Sequence, residues 1–138
     1  MSVATVFRAI AIWLVLLVLA VANGLLREAM LLKVLPQDAA FVVSGLLLIA
    51  CVLLIALSSV RWLGLLGLGE YLLIGMLWLV LTVAFEFGFG ILVRDQQPVA
   101  LLDAYRFRDG NIWPLVLLVI ALSPVIAAAV RGLVSKAK

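Results

Sequence analysis

Polar residues fall along this chain in short clusters, and the apolar runs between them set its architecture. Arg8 opens a run that lasts to Ala22, after which Asn23, Arg27, Glu28 and Lys33 interrupt it; Ala39 to Val60 carries no charge, and Asn111 to Val130 carries none either. Between them, Tyr71 to Val93 is an apolar stretch of 23 residues with one ionisable side chain, Glu86. At a rise of about 1.5 Å per residue such a run makes roughly 34 Å of helix, enough to cross a hydrocarbon core of about 30 Å. The pattern predicts spans near residues 7–27, 39–60, 71–93 and 111–130, with a loop over 94–110, in a single transmembrane domain covering 1–138. The predicted fold class is all-α: an integral membrane four-helix bundle.

The edges of the spans have their own signals. Residues 23 to 35 contain no proline and are mostly good helix formers, so the first helix need not stop at the membrane edge before Pro36. Arg8 with the apolar run to Ala20-Val21-Ala22 also has the outline of a secretory leader. An uncleaved first helix is the simpler account, because three further spans follow. Asp38 is placed to cap the second helix. The glycine-rich stretch Arg61 to Gly69 predicts an antiparallel hairpin between the second and third spans, with Trp62 at interfacial depth. Pro114 falls in a first turn, where its missing N–H costs nothing, whereas Pro124 lies deep in the last span beside Ser123 and should kink it. The stretch 99–105 has the pattern of a short surface helix.

Within the spans, small and polar residues mark the faces that should turn into protein. Ser44, Cys51 and Ser58 recur every seven residues on the second span, and Gly75, Leu79, Thr82, Glu86 and Gly90 share a stripe on the third. Glu86 is the residue to account for, since a carboxylate at membrane depth is costly and normally faces a partner, a cavity or a transported ion. Asn23 and Arg27 share one face of the first helix, which crosses in the same direction as the third. Counting back from Arg94 and Arg27, Glu86 is eight residues from its span's exit and Asn23 four from its own, about 12 Å and about 6 Å. An arginine can bend back along its stem, so Arg27 and Asn23 are expected to meet Glu86, with Glu28, Arg94 and Asn111 around the same rim. A structural ion pair that pins two helices is the competing account of these residues.

Composition narrows the function classes. The chain is 68% hydrophobic and 12% charged, with no histidine and one cysteine, Cys51; its mean hydropathy is +1.39. Zinc, haem and iron–sulfur centres are not expected, and neither are Ser/His/Asp or Cys/His nucleophiles, so no catalytic residue, metal or cofactor is assigned and the protein is not expected to be an enzyme. The net charge of +3 owes most to Arg131, Lys136 and Lys138 in the C-terminal tail, which suits an anionic membrane surface and not nucleic acid. Lysine and arginine divide evenly between the two faces: Arg8, Arg61, Arg131, Lys136 and Lys138 on the side of the termini, and Arg27, Lys33, Arg94, Arg106 and Arg108 on the other. The uncompensated C-terminal cluster tips the balance to cytoplasmic termini, and the near-tie leaves dual insertion open. Expected partners are the lipid bilayer and either a second copy of the chain or another membrane protein.

Asn23-Gly24-x-x-Arg27-Glu28, Phe85-Glu86-Phe87-Gly88-Phe89-Gly90 and Trp113-Pro114 together resemble a group of short bacterial inner-membrane proteins to which no activity is attached. The resemblance covers nearly the whole chain and implies four helices in a bacterial inner membrane. In size the chain is also similar to the small multidrug-resistance transporters, which exchange protons for cations on a membrane glutamate. Their glutamate lies on the first helix and this one on the third. The small fluoride channels are comparable in size, but none of their motifs occurs here. Gly24-Leu25-Leu26-Arg27-Glu28 and Gly90-Ile91-Leu92-Val93-Arg94-Asp95 form an internal echo consistent with either duplication or chance.

These features lead to three expectations. The first is a non-enzymatic membrane protein whose Glu86, Arg27 and Asn23 bind or conduct a small polar solute or ion. The second is an accessory or scaffolding subunit of a membrane complex, and the third a lipid-acting enzyme, for which a second acid or base is hard to find. The sequence leaves open whether Glu86 is protonated or paired with Arg27.

Overall fold

The computed structural model describes residues 2–64, 66–93, 95, 97 and 112–133. Arg94, Asn111 and the surface helix expected over 99–105 lie outside the described residues. The elements are α1 (Val3–Leu26), a π turn (Arg27–Leu31), α2 (Leu32–Val34), α3 (Gln37–Leu63), α4 (Leu68–Leu92) and α5 (Trp113–Val130), with no strand among the described residues. Four helices are long and apolar enough to cross a membrane, the first running unbroken from Val3 to Val34. Continuation of the first helix beyond Asn23 agrees with the sequence, but its passage through a π turn does not show there.

Terminal signals are mostly local. Ser2 caps α1 by accepting from the Thr5 N–H at 3.1 Å. α3 begins one residue before Asp38, with Pro36 at the cap position, so Asp38 is a first-turn acid and not the cap. Its carboxylate instead takes the Ala39 N–H at 2.8 Å. At the other end of α3, Gly64 has φ +103, a conformation that favours glycine, and the chain turns into α4 within residues 64–67. Buried Tyr71 ties this turn together, its hydroxyl donating to the Gly64 carbonyl and accepting from the Leu66 N–H.

The turn makes α3 and α4 antiparallel, as expected, but it does not pack them side by side. α5 lies against both, α1 packs on α3, and α1 touches α4 more lightly. The four long helices thus form a ring in the order α1, α3, α5, α4. Gly75 allows a close approach in it, since a Cβ there would run into the backbone carbonyl of Ala121 on α5. Gly45 similarly makes room for the Ile112 side chain.

On α3 the buried face is Ala40, Ser44, Leu48, Val52, Ala56 and Val60, a strict four-residue repeat. That row drifts by about 40° per step, which carries the seam from one neighbour to the other. The expected seven-residue face is corrected accordingly. Ser44 is buried and Cys51 half-buried, but Ser58 is exposed and its hydroxyl donates to the Leu54 carbonyl on its own helix. On α5, Pro124 removes the N–H that would have served the Ile120 carbonyl, and the Ser123 hydroxyl donates to that same carbonyl at 2.9 Å. Both side chains are buried, so the break in the helix is repaired inside the bundle.

Candidate functional site

Four indole rings organise the polar groups. Trp13 on α1 donates to the Thr82 hydroxyl at 3.0 Å, and Trp78 on α4 donates to the Ala9 carbonyl at 2.9 Å. Thr82 in turn donates to the Trp78 carbonyl at 2.7 Å. Trp113, the first residue of α5, donates to Glu86 Oε2 at 2.8 Å. The fourth ring, Trp62, lies beneath the Arg8 guanidinium, 5.5 Å from its carbon, while Arg8 also donates to the Trp62 carbonyl at 3.0 Å. Arg131 caps the same end of α3 through the Leu57 carbonyl at 3.2 Å. Arg8, Arg61 and Arg131 therefore gather on the face that holds both termini of the bundle.

The two bonds between α1 and α4 each join residues 69 apart, in opposite senses, and so fix the register of these parallel helices. Glu86 falls level with Leu17. That is midway between Arg8 and Arg27, which are separated by about 28 Å of helix. Glu86 stands six residues, about 9 Å, before the last residue of α4 and is held by the first residue of α5, so the carboxylate lies in the half of the bundle away from the termini, with Arg27 farther out.

Asn23 and Arg27 do share a face, but it faces α3. Asn23 donates to the Ser44 carbonyl at 3.0 Å and accepts the Ser44 hydroxyl proton. Arg27 has Nη1 at 3.5 Å from the Ser44 hydroxyl, its guanidinium carbon 4.7 Å from the Phe41 ring centre, and Nε 3.6 Å from Glu28. Glu86 is not among these partners. The physical reason is depth: in the observed register Arg27 stands ten residues beyond Glu86, about 15 Å, farther than the side chain reaches. The expected single site is therefore two, with Glu86 between α4 and α5 and Asn23, Arg27 and Glu28 at the far rim. The other expected rim residues, Arg94 and Asn111, lie outside the described residues.

Trp113 is the functional residue whose role the sequence did not reveal. It reads as an interfacial anchor, and the only pointer to more was its place at a helix start opposite the exit of α4. Together with Thr82, Leu16, Leu17, Ala20 and Ile120 it lines a void of about 20 Å³ at the centre of the ring. The void is mostly apolar, and about 10–15 Å³ suffices for one water. The Thr82 hydroxyl and the indole that holds Glu86 form its polar edge.

Fold and site together define a polytopic α-helical membrane protein with a carboxylate in its core. Comparison with protein-family models, with curated proteins and with solved structures gives no match.

Proposed function

We propose that this is a non-enzymatic membrane protein that binds a proton or a small cation at Glu86 and passes it between the two sides. The observation that carries the reading is the contrast between Trp113 and the other two core tryptophans. Trp13 and Trp78 are satisfied by a hydroxyl and a backbone carbonyl, both neutral. Holding the Trp113 N–H requires no charge, yet its acceptor is a carboxylate within an apolar span, where a charge is costly. A carboxylate kept at that cost between two spans suits exchange of protons or ions.

The test is cation-linked proton release from purified protein in weakly buffered detergent, with sodium, potassium and lithium as probes. Release of up to one proton per chain that disappears in Glu86→Gln supports the reading. Gln keeps an acceptor for Trp113, so an equal release from the variant would defeat it, as would none from either protein.

A second reading, an accessory subunit, draws support from the pairings Trp13–Thr82 and Asn23–Ser44, which join helices with neutral groups alone. Native mass spectrometry separates the two: a homodimer or monomer fits the ion-binding protein, a co-purified membrane protein the subunit. We further infer a bacterial inner membrane with both termini in the cytoplasm, from the motif resemblance and the cationic terminal face. A reporter fused after Lys138 should then be active only on the cytoplasmic side.

A further inference from the structure

The far-rim cluster around Arg27 is separate from the Glu86 site in depth and in helices, and its chemistry has the opposite sign. Arg8 is fixed on Trp62 at one interface. Arg27 follows 19 residues later on one continuous helix, about 28 Å away, against a hydrocarbon core of about 30 Å. Arg27 therefore stands at the depth of the phosphates of the opposite leaflet.

Its guanidinium is oriented but not saturated. One face rests on the Phe41 ring, and Nη1 makes a long contact with the Ser44 hydroxyl, which donates to the Asn23 amide oxygen while the Asn23 amide N–H donates to the Ser44 carbonyl. Nε is enclosed and has no hydrogen-bond acceptor. The nearest anion, Glu28 Oε2, stands at 3.6 Å, outside hydrogen-bond range, on a side chain that is 64% exposed. Nη2 lies over Gly24, where even a Cβ would stay 3.9 Å away. Five donors on a rigid planar fork thus meet one weak acceptor from the protein, and an arginine buried at Nε normally has a better one. The Nε/Nη2 edge is the geometry that takes two oxygens of a phosphate at once.

We propose that Arg27, positioned by Phe41 and by the Asn23–Ser44 pair, binds the phosphate of an anionic lipid headgroup in the leaflet opposite the termini, with Glu28 as the intramolecular competitor that the phosphate displaces. Exposed Leu25 and Val43 on the two flanking helices offer the acyl chains an apolar wall. The inference goes beyond the Glu86 reading and stands whether or not Glu86 exchanges ions.

The test is native mass spectrometry of detergent-solubilised protein titrated with phosphatidylglycerol or phosphatidylcholine, with inorganic phosphate as a competing arm. The native chain should prefer phosphatidylglycerol by about fivefold or more, and Arg27→Lys, which keeps the charge but loses the fork, should cut that preference to under about twofold. Arg8→Lys should leave it unchanged. Glu28→Gln, a change at an exposed side chain, should tighten lipid binding by about threefold or more, because it removes the competitor. Displacement of the lipid by millimolar phosphate would assign the site to the oxyanion alone, and persistence of the lipid to the whole headgroup. Binding unchanged in Arg27→Lys, or weakened in Glu28→Gln, would overturn the proposal. Thermal unfolding of each variant identifies any loss that comes from misfolding.

Discussion

The indole N–H of Trp113 meets Glu86 Oε2 at 2.8 Å, so the start of α5 orients the half-buried carboxylate toward the C-terminal end of α4. Arg27, its expected partner, turns to Ser44 and Phe41 instead. Among the described residues the polar groups of the bundle are coupled through separate contacts around the ring and not through an ion pair between Arg27 and Glu86.

This arrangement predicts which double substitutions interact. Trp113→Phe removes a donor to a carboxylate and should cost about 1.5–3 kcal/mol of stability. Combined with Glu86→Gln, the loss should be clearly less than the sum, since an amide has less need of the donor. Arg27→Ala with Glu86→Gln should be additive within about 0.5 kcal/mol, as for residues that share no partner. Denaturant unfolding of the three singles and two doubles in mild detergent measures both cycles. A large coupling between Arg27 and Glu86 would reinstate the ion pair.

The tight contact at Gly75 gives a steric prediction. Gly75→Ala drives a methyl group into the Ala121 backbone carbonyl, and no side-chain rotation relieves it. The two helices must separate, at a cost of about 1–3 kcal/mol or more. Gly88→Ala, on the same helix with open space around it, should stay within about 0.5 kcal/mol of the native protein. Equal behaviour of the two variants in thermal unfolding would show that α4 and α5 do not approach as closely as described.

The contrast between these two glycines also shows what the sequence could and could not convey. Hydropathy and proline placement predicted the four spans, because length and apolarity are properties of a segment by itself. The stripe through Gly75, Thr82 and Glu86 correctly pointed into protein, since small and polar residues have nowhere favourable to face in lipid. Which helix receives each group depends on ring order, and the short turn at Gly64 misled on that point by suggesting that α3 and α4 pack together. The meeting of Arg27 with Glu86 failed on reach. The register set by Trp13 and Trp78 reaching across to Thr82 and Ala9 puts Arg27 about 15 Å beyond Glu86, where the count from the exit arginines gave about 12 Å, and a side chain held by Ser44 and Phe41 on the α3 side closes neither gap. Ser58 shows the same limit, because a helical hydroxyl can satisfy itself on the preceding turn and need not mark a contact.

The depth of Glu86 can be measured directly, and the register between α1 and α4 fixes what it should be. Val15 on α1 and Ala84 on α4 are both exposed, and they differ by the same 69 positions that separate the two bonded pairs. Spin labels placed at each, after Cys51→Ala removes the native thiol, should therefore report the same immersion depth to within about 3 Å, two residues of helix. Glu86 follows Ala84 by two positions and sits within that distance of the same plane. A third label at exposed Leu25, ten positions beyond Val15, should be shallower by about 15 Å if the helix stands near the membrane normal, and by less in proportion to its tilt. Oxygen and nickel-chelate accessibility in liposomes gives all three depths from one preparation. If Ala84 matched Leu25 and not Val15, Glu86 would lie at the far interface, where a carboxylate costs little, and the argument that its charge is retained for exchange would lose its basis.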